Sequence, residues 1–375
     1  MAKELFLTLL RCRLNNEDLP LEAKNSLKNP QVLASIYQTS KKYDLAHFIV
    51  DLLESNQLLD GGETSQKFMR ERNLALFRDV QMQYVRERLK TLFRENNIEF
   101  LLLKGSVIRD YYPETWMRTS CDIDILIHEE DIDRALEVVT KEGYKSENRS
   151  YRDISLFDPS GVHVELHFSL KQAFNEVDSV LENVWSYIRP NEGLSREFFY
   201  FYMIAHTAYH FRRGGCGIRP FIDLWVMDQK FEIDREVIHA LLTKGGLNTF
   251  YQAARRLVQA WFGNGVLDEN LLEIQNYLFS SGLYGSLNNQ VIMEKAKQGG
   301  TVKYILSRLF LPYDVLKEYY PGLKGRKWLT LFYQVRRWFG LLSRKTRRRV
   351  FAELSTKDNQ EKEQKLKAIM DYVQL

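Results

Sequence analysis

IEFLLLKGS at residues 98–106 and RTSCDIDILI at residues 118–127 decide how this chain folds. Ile98 to Leu103 is a short apolar run that stops at Lys104, Gly105 and Ser106. Such a run, bounded by turn formers, reads as a buried strand, and the residues after it as a short helix ended by Pro113. A second strand is expected at 122–127. Residues two apart in a strand share a face, roughly 6.6 Å apart along the chain, so Asp122 and Asp124 project together while Ile123 points into the core. From Glu129 to Glu142 the pattern is that of an amphipathic helix, closed by Gly143. Two further strands, 154–157 and 162–168, flank Asp158, Pro159, Ser160 and Gly161, an order that suits a type I turn. The last strand alternates: Val162, Val164, Leu166 and Phe168 on one face, His163, Glu165 and His167 on the other.

Outside this unit the period is helical. With 375 residues and 45% hydrophobic content, the chain is long enough for two or three domains with their own cores. The expected division is a helical region at 1–95, an α/β core at 96–190 and a helical domain at 191–375. Asp60, Gly61 and Gly62 break the first part, and a long amphipathic helix is expected from Ser65 to about Asn96. Leu74, Leu76, Phe77, Val80, Tyr84, Leu89 and Leu92 give it an apolar face. The polar tail after Thr356 is the one stretch that reads as disordered.

Three cysteines in no paired spacing exclude a disulfide framework and favour a reducing compartment. The N-terminal apolar run is too short for a signal peptide, and no run of about 20 apolar residues offers a membrane span. A cytoplasmic protein is expected, with peripheral membrane contact left open by one feature. From Lys324 to Arg349 there are ten basic residues and no acidic one, interleaved with Trp328, Phe332, Tyr333, Trp338 and Phe339. Cations among aromatics suit nucleic acid or anionic lipid. The favoured reading is an aromatic stripe facing the core with a solvated basic back.

The chemistry lies in the acids. Two carboxylates on one strand face repel unless a cation sits between them. Mg²⁺ takes oxygen ligands and commonly uses one or two carboxylates plus substrate phosphates. Glu165 is a candidate third ligand, and a pair of ions could then serve both the attacking and the leaving oxygen. Gly105 and Ser106, at a strand-to-helix turn, could receive phosphate at helix N–H groups. A lone Asp-x-Asp is weak evidence, since most such pairs are surface acids. The ordered set carries the reading: strand, Gly-Ser, helix, strand with Asp-x-Asp, strand with an acid.

LLKGS at 102–106, RTSCDIDILI at 118–127 and VELH at 164–167 resemble the DNA polymerase β-type nucleotidyltransferase superfamily. More narrowly, the whole chain resembles the bacterial uncharacterised nucleotidyltransferase family, which also has a helical segment before the Lys-Gly strand and a His-rich helix and an Asp after the third acid, here His206, His210 and Asp223. The resemblance implies an α+β fold, a small mixed β-sheet nucleotidyltransferase core between N-terminal and C-terminal helical regions. It implies that Gly105 and Ser106 hold phosphates of an NTP, that Asp122 and Asp124 bind Mg²⁺ or Mn²⁺ on the nucleotide, and that Glu165 completes a second metal site. The loop from Ser106 to Asp122 is longer than in minimal members and lacks their glycine.

Lys104 and Arg118 could neutralise triphosphate charge; their alternatives are a solvated strand-end lysine and an arginine paired with Glu114. His163 and His167 share the Glu165 face and could bind phosphate or act as bases; the favoured alternative for each is a satisfied histidine on the sheet surface. His206 and His210, four apart on a helix, lack the intervening Glu of a zinc protease and are expected either to line the cleft or to pack. Three functions remain in view: transfer of an NMP from an NTP to a hydroxyl or phosphate acceptor (small molecule, sugar phosphate, protein or RNA); a non-catalytic module binding nucleotide, RNA or protein; and an Asp-x-Asp glycosyltransferase, which needs neither Glu165 nor the Gly-Ser turn. A kinase is excluded by the lack of its glycine-rich and catalytic loops.

Overall fold

The computed structural model of the chain describes residues 2–150, 152–172, 174–189, 193–282, 285–298, 300–341 and 360–375. Its centre is a mixed sheet of β1 (Phe100–Leu102), β2 (Asp122–Ile127), β3 (Lys145–Arg149), β4 (Asp153–Phe157) and β5 (His163–His167), in the order β1-β2-β5-β4-β3. Only β2 and β5 run parallel. The β4–β5 turn forms as expected: Gly161 N–H donates to Asp158 O at 3.0 Å, and Gly161 takes φ +88°, a conformation that favours glycine. Strand β3 was not expected. All five of its residues are exposed and polar, so it carries no alternation to read, which is how an edge strand avoids pairing with other chains.

Helices α1 to α5 precede the sheet, at Ala2–Asn15, Leu21–Leu27, Pro30–Lys42, Ala46–Ser55 and Glu63–Glu95. Between the strands lie α6 (Gly105–Ile108) and α7 (Ile132–Lys141). After the sheet come α8 (Asn175–Leu181), α9 (Arg196–Arg212), α10 (Arg219–Lys230) and further helices to the C-terminus. The fold is α+β, a small mixed sheet flanked by helical regions.

The sheet has two unlike faces because its strands alternate. Ile123, Ile125, Ile154, Leu156, Val164 and Leu166 form one apolar core with Met82, Val85, Leu89 and Phe93 of α5 and with Ile132, Ala135 and Val139 of α7. The opposite face carries Asp122, Asp124, Glu165 and His167, and a larger core joins its far end to the N-terminal and C-terminal helices.

Helix α5 corrects the expectation for its apolar face. Leu74, Leu76, Phe77, Val80 and Tyr84 are exposed, Phe77 at 66% and Tyr84 at 72%. The buried stripe is Phe68, Ala75, Met82 and Leu89, seven apart, joined by Val85 and Leu92. That is a heptad seam, narrow enough to pack on α4 first and on the sheet later. Its small Ala75 hid it beside the bulkier neighbours.

The C-terminal part brings two more corrections. Residues 357–359 of the polar tail lie outside the described residues, but Gln360–Val373 is a helix that buries Leu366, Ile369, Met370 and Val373. Residues 342–349 of the basic block also lie outside them. In the described remainder, Trp328, Phe332 and Phe339 face outward instead of into a core.

Candidate active site

The antiparallel register of β1 on β2 pairs Leu102 with Ile125, so the chain leaves β1 beside the Asp end of β2. Leu103 N–H donates to Asp124 O at 3.0 Å, and the Lys104–Ser106 bend follows at once. Gly105 sits so close to the next segment that a Cβ would come within 3.1 Å of Ser120 Cβ. Lys104 has φ +44° and ψ −121°, a conformation that costs a non-glycine residue about 1–3 kcal/mol. Strain of this kind collects where a side chain must be aimed, and here the Lys104 ammonium reaches Asp124 Oδ1 at 2.7 Å.

Across the parallel pair, Asp122 faces His163 and Asp124 faces Glu165. Side-chain ligand atoms of Asp122, His163 and Glu165 lie within 4.8 Å of one another, as do those of Asp124, Glu165 and His167. Glu165 belongs to both sets. His167, buried, bridges them: its Nε2 is 2.8 Å from Asp124 Oδ1 and 3.3 Å from Glu165 Oε2. His163 Nε2 shares a hydrogen bond with Ser155 Oγ at 2.6 Å. The structure therefore brings together Asp122, Asp124, Glu165, His163, His167 and Lys104.

Their electrostatics are divided. Asp124 is only 3% exposed; burial alone would raise its carboxyl, but Lys104 and His167 outweigh it and hold the group well below the usual range. Lys104 is raised in turn, Asp124 overcoming the cost of burial. Glu165 is lowered, first by its hydrogen bond from His167. Asp122 goes the other way. Burial, and then the charges of Asp124 and Glu165, push it up to about 6. A hard divalent cation fits this set: three carboxylates converge, and one of them is destabilised as an anion in a way a cation would reverse.

This yields a stability prediction. Because Asp122 is raised in the folded state, wild type pays nothing for it below the unfolded carboxylate value, near about pH 4, and loses stability as pH rises through about 6. Without metal, Asp122→Asn is therefore expected to melt higher than wild type at about pH 8 and at the same temperature near about pH 4. Melting curves at both pH values check it; no gain at high pH would mean the site is not anionically strained.

The α9 helix supplies the opposite wall. Tyr202, His206 and His210 recur at i, i+4 and i+8, and the rings of His206 and His210 meet edge-on with centroids 4.5 Å apart. Burial, then Lys104, drive His206 well below its ordinary value and His210 to about 4, so both are neutral at physiological pH. Arg152 reaches over Tyr209 at 5.7 Å and adds to that depression. Tyr202 and Arg152 were missed in the sequence. Neither belongs to a motif: the packing of α9 over the sheet brings Tyr202 near the acids, and Arg152 is held just before β4, where its carbonyl accepts from the N–H groups of Phe168 and Ser169 at the end of β5.

Three expectations change. Arg118 and Asp223 were expected to face a nucleotide or the cleft, or Arg118 to pair with Glu114. They face each other instead: Arg118 Nε donates to Asp223 Oδ1 at 2.7 Å and Nη2 to Oδ2 at 2.8 Å, with side chains 11% and 2% exposed. Tyr112 Oη also donates to Asp223, at 2.7 Å. The long loop before β2 is thus clasped to α10, and Asp44, which accepts from Arg219 and Thr119, fastens it to the N-terminal helices. The α6 helix is one turn long and three of its four amides are occupied: Ser106 N–H donates to Leu103 O, Val107 and Ile108 N–H to Lys104 O. Phosphate at this bend would meet the Lys104 side chain and the bend itself rather than a row of free helix amides.

A mixed sheet presenting Asp-x-Asp and a cross-strand Glu on one face, beside a Gly-Ser bend, defines a nucleotidyltransferase-type core. The model of a family described as uncharacterised nucleotidyltransferase matches residues 33–263, more than half of the chain, and the chain belongs to that family. Among solved structures, the chain is similar to the antibiotic-resistance factor ANT(2'')-Ia in solution, with a TM-score of 0.33 and 12% identity over 47% of this chain and 96% of that one. No curated protein matches it in sequence.

Proposed function

We propose that the chain transfers a nucleoside monophosphate from an NTP to a hydroxyl or phosphate acceptor and releases pyrophosphate. The convergence of Asp122, Asp124 and Glu165, with Glu165 common to both ligand groups, carries the reading. Asp122, Asp124 and Glu165 would hold Mg²⁺ or Mn²⁺, which would supply charge neutralisation at the phosphates and activation of the acceptor oxygen. Lys104 keeps Asp124 ionised and sets its Oδ1 in place. His167 holds Glu165 and Asp124 at a fixed spacing, so the acids need no reorganisation when substrate arrives. Neutral His206 and His210 roof the acids without adding charge. Catalysis then rests on position and charge rather than on a covalent step.

Incubation with α-labelled NTP, Mg²⁺ or Mn²⁺ and a panel of acceptors tests this. Wild type is expected to move label to an acceptor with pyrophosphate released in equal amount. Glu165→Ala should lower both by at least about a hundredfold while its melting curve stays cooperative. Full activity in that variant would remove Glu165 from the site, whereas a wild type that moves no label from NTP but transfers sugar from a nucleotide sugar, with or without Glu165, would overturn the assignment in favour of a glycosyltransferase. Binding of NTP without turnover would favour a non-catalytic module.

A further inference from the structure

The helix at Thr330–Leu341 turns only part of its apolar surface inward. Trp338 meets the Phe310 ring edge-on and Tyr333 packs against Tyr320, and the other inward contacts are polar. Gln334 Nε2 donates to Leu311 O at 2.5 Å, Arg337 Nη2 to Arg308 O at 2.8 Å and Trp338 Nε1 to Leu309 O at 2.8 Å. Its remaining apolar side chains point to water. Trp328, just before the helix, is 80% exposed, Phe339 is 71% exposed, and Leu331, Phe332 and Val335 are exposed between them. Positions 328, 331, 332, 335 and 339 follow i, i+3, i+4, i+7 and i+11, so they make one continuous stripe. Leu306, Leu309 and Phe310, on the segment this helix rests on, are exposed too. Contiguous apolar surface of this kind marks a contact site.

Charge identifies the occupant. Exposed Lys324, Arg326, Lys327 and Arg336 accompany the stripe, and the sequence from 324 to 349 has ten basic residues and no acidic one. We propose that this face lies on an anionic lipid bilayer, with the stripe set among the acyl chains just below the headgroups and the basic side chains on lipid phosphates. Nucleic acid fits less well, because bases stack on rings and Leu331 and Val335 offer none. A second copy of the chain would meet the same positive charge. No helix among the described residues is long and apolar enough to cross a membrane, so the contact is in the plane of the surface.

Flotation of the full chain with phosphatidylcholine vesicles, with and without phosphatidylserine at about a third of the lipid, tests the proposal at about 0.15 M salt. Wild type is expected to bind the anionic vesicles at least about tenfold more tightly than the neutral ones. Phe332→Ser with Phe339→Ser should lose that binding at least about tenfold. Lys324→Glu with Lys327→Glu should lose it as well. All four substitutions are at exposed positions, and an unchanged melting curve shows that the fold is kept. Three results would overturn the proposal: no preference for anionic vesicles, binding that survives Phe332→Ser with Phe339→Ser, or stripe-dependent binding of single-stranded RNA in place of vesicles. So would a wild type that forms dimers by light scattering, become monomeric in the Phe332→Ser, Phe339→Ser variant and ignore lipid.

Discussion

Asp124→Ala is expected to lower nucleotidyl transfer by at least about a thousandfold, the largest loss of any single change at the site. Asp124 is the most buried of the three acids and the one around which the others are arranged: Lys104 and His167 both meet its Oδ1. Removing the carboxylate takes away a proposed metal ligand and leaves the Lys104 ammonium without its counterion. That lysine, now raised by Asp124, would shift downward, because burial opposes its charge. Asp124→Asn separates the two effects. The amide keeps the shape and can still accept from Lys104, so folding should suffer less than in Asp124→Ala while activity falls as far. Single-turnover label transfer, with thermal melts of both variants, measures this. Activity within tenfold of wild type in Asp124→Asn would mean that the carboxylate is not needed as an anion and that the proposed chemistry lies elsewhere.

Asp223→Ala is expected to cost about 3–5 kcal/mol of stability, the usual penalty for leaving one member of a buried ion pair without its partner. Arg118 would keep its charge, since a guanidinium does not give up its proton, and would lose its buried counterion, with Tyr112 Oη also unpartnered. Urea unfolding measures the loss. The double variant Arg118→Met with Asp223→Leu should recover most of it, because apolar replacements of similar volume remove both charges together. A loss below about 1 kcal/mol in Asp223→Ala would show that the clasp between the loop and α10 does not hold the fold. Because this loop leads directly into β2, the single variant should also slacken the Asp-x-Asp strand and reduce activity further than its stability alone explains.

What could be read from the sequence was whatever is local. Strand β2 was legible to the residue, because Ile123, Ile125 and Ile127 must share one face and Asp122 and Asp124 the other. The turn at Asp158–Gly161 and the split faces of β5 followed from the same period. Their meeting was legible only as an order of motifs; the register that sets Asp124 opposite Glu165 appears in the fold. Contacts across long separations left no trace. Arg118 and Asp223 are 105 residues apart, and each alone looks like a charge for solvent or ligand. The α5 seam failed for another reason: hydrophobic bulk was weighed over spacing, and a seam built on Ala75 and Met82 is quieter than the outward Phe77 and Tyr84. In the helix at Thr330–Leu341 the usual rule, apolar side inward, holds for Tyr333 and Trp338 but not for Leu331, Phe332, Val335 and Phe339, so the rule misplaced half of the stripe.

The seven-residue seam of α5 also limits where this protein can be cut. One unbroken rod of 33 residues spans about 50 Å, and its second half, through Met82, Val85, Leu89 and Phe93, covers the inner sheet together with α7. A fragment begun just ahead of β1 would keep every acid of the site yet bare the greasy underside of the strands that hold them. A piece meant to keep this chemistry therefore has to carry Met82, Val85, Leu89 and Phe93, and fragments built on the strand motifs alone are expected to aggregate through the bared face.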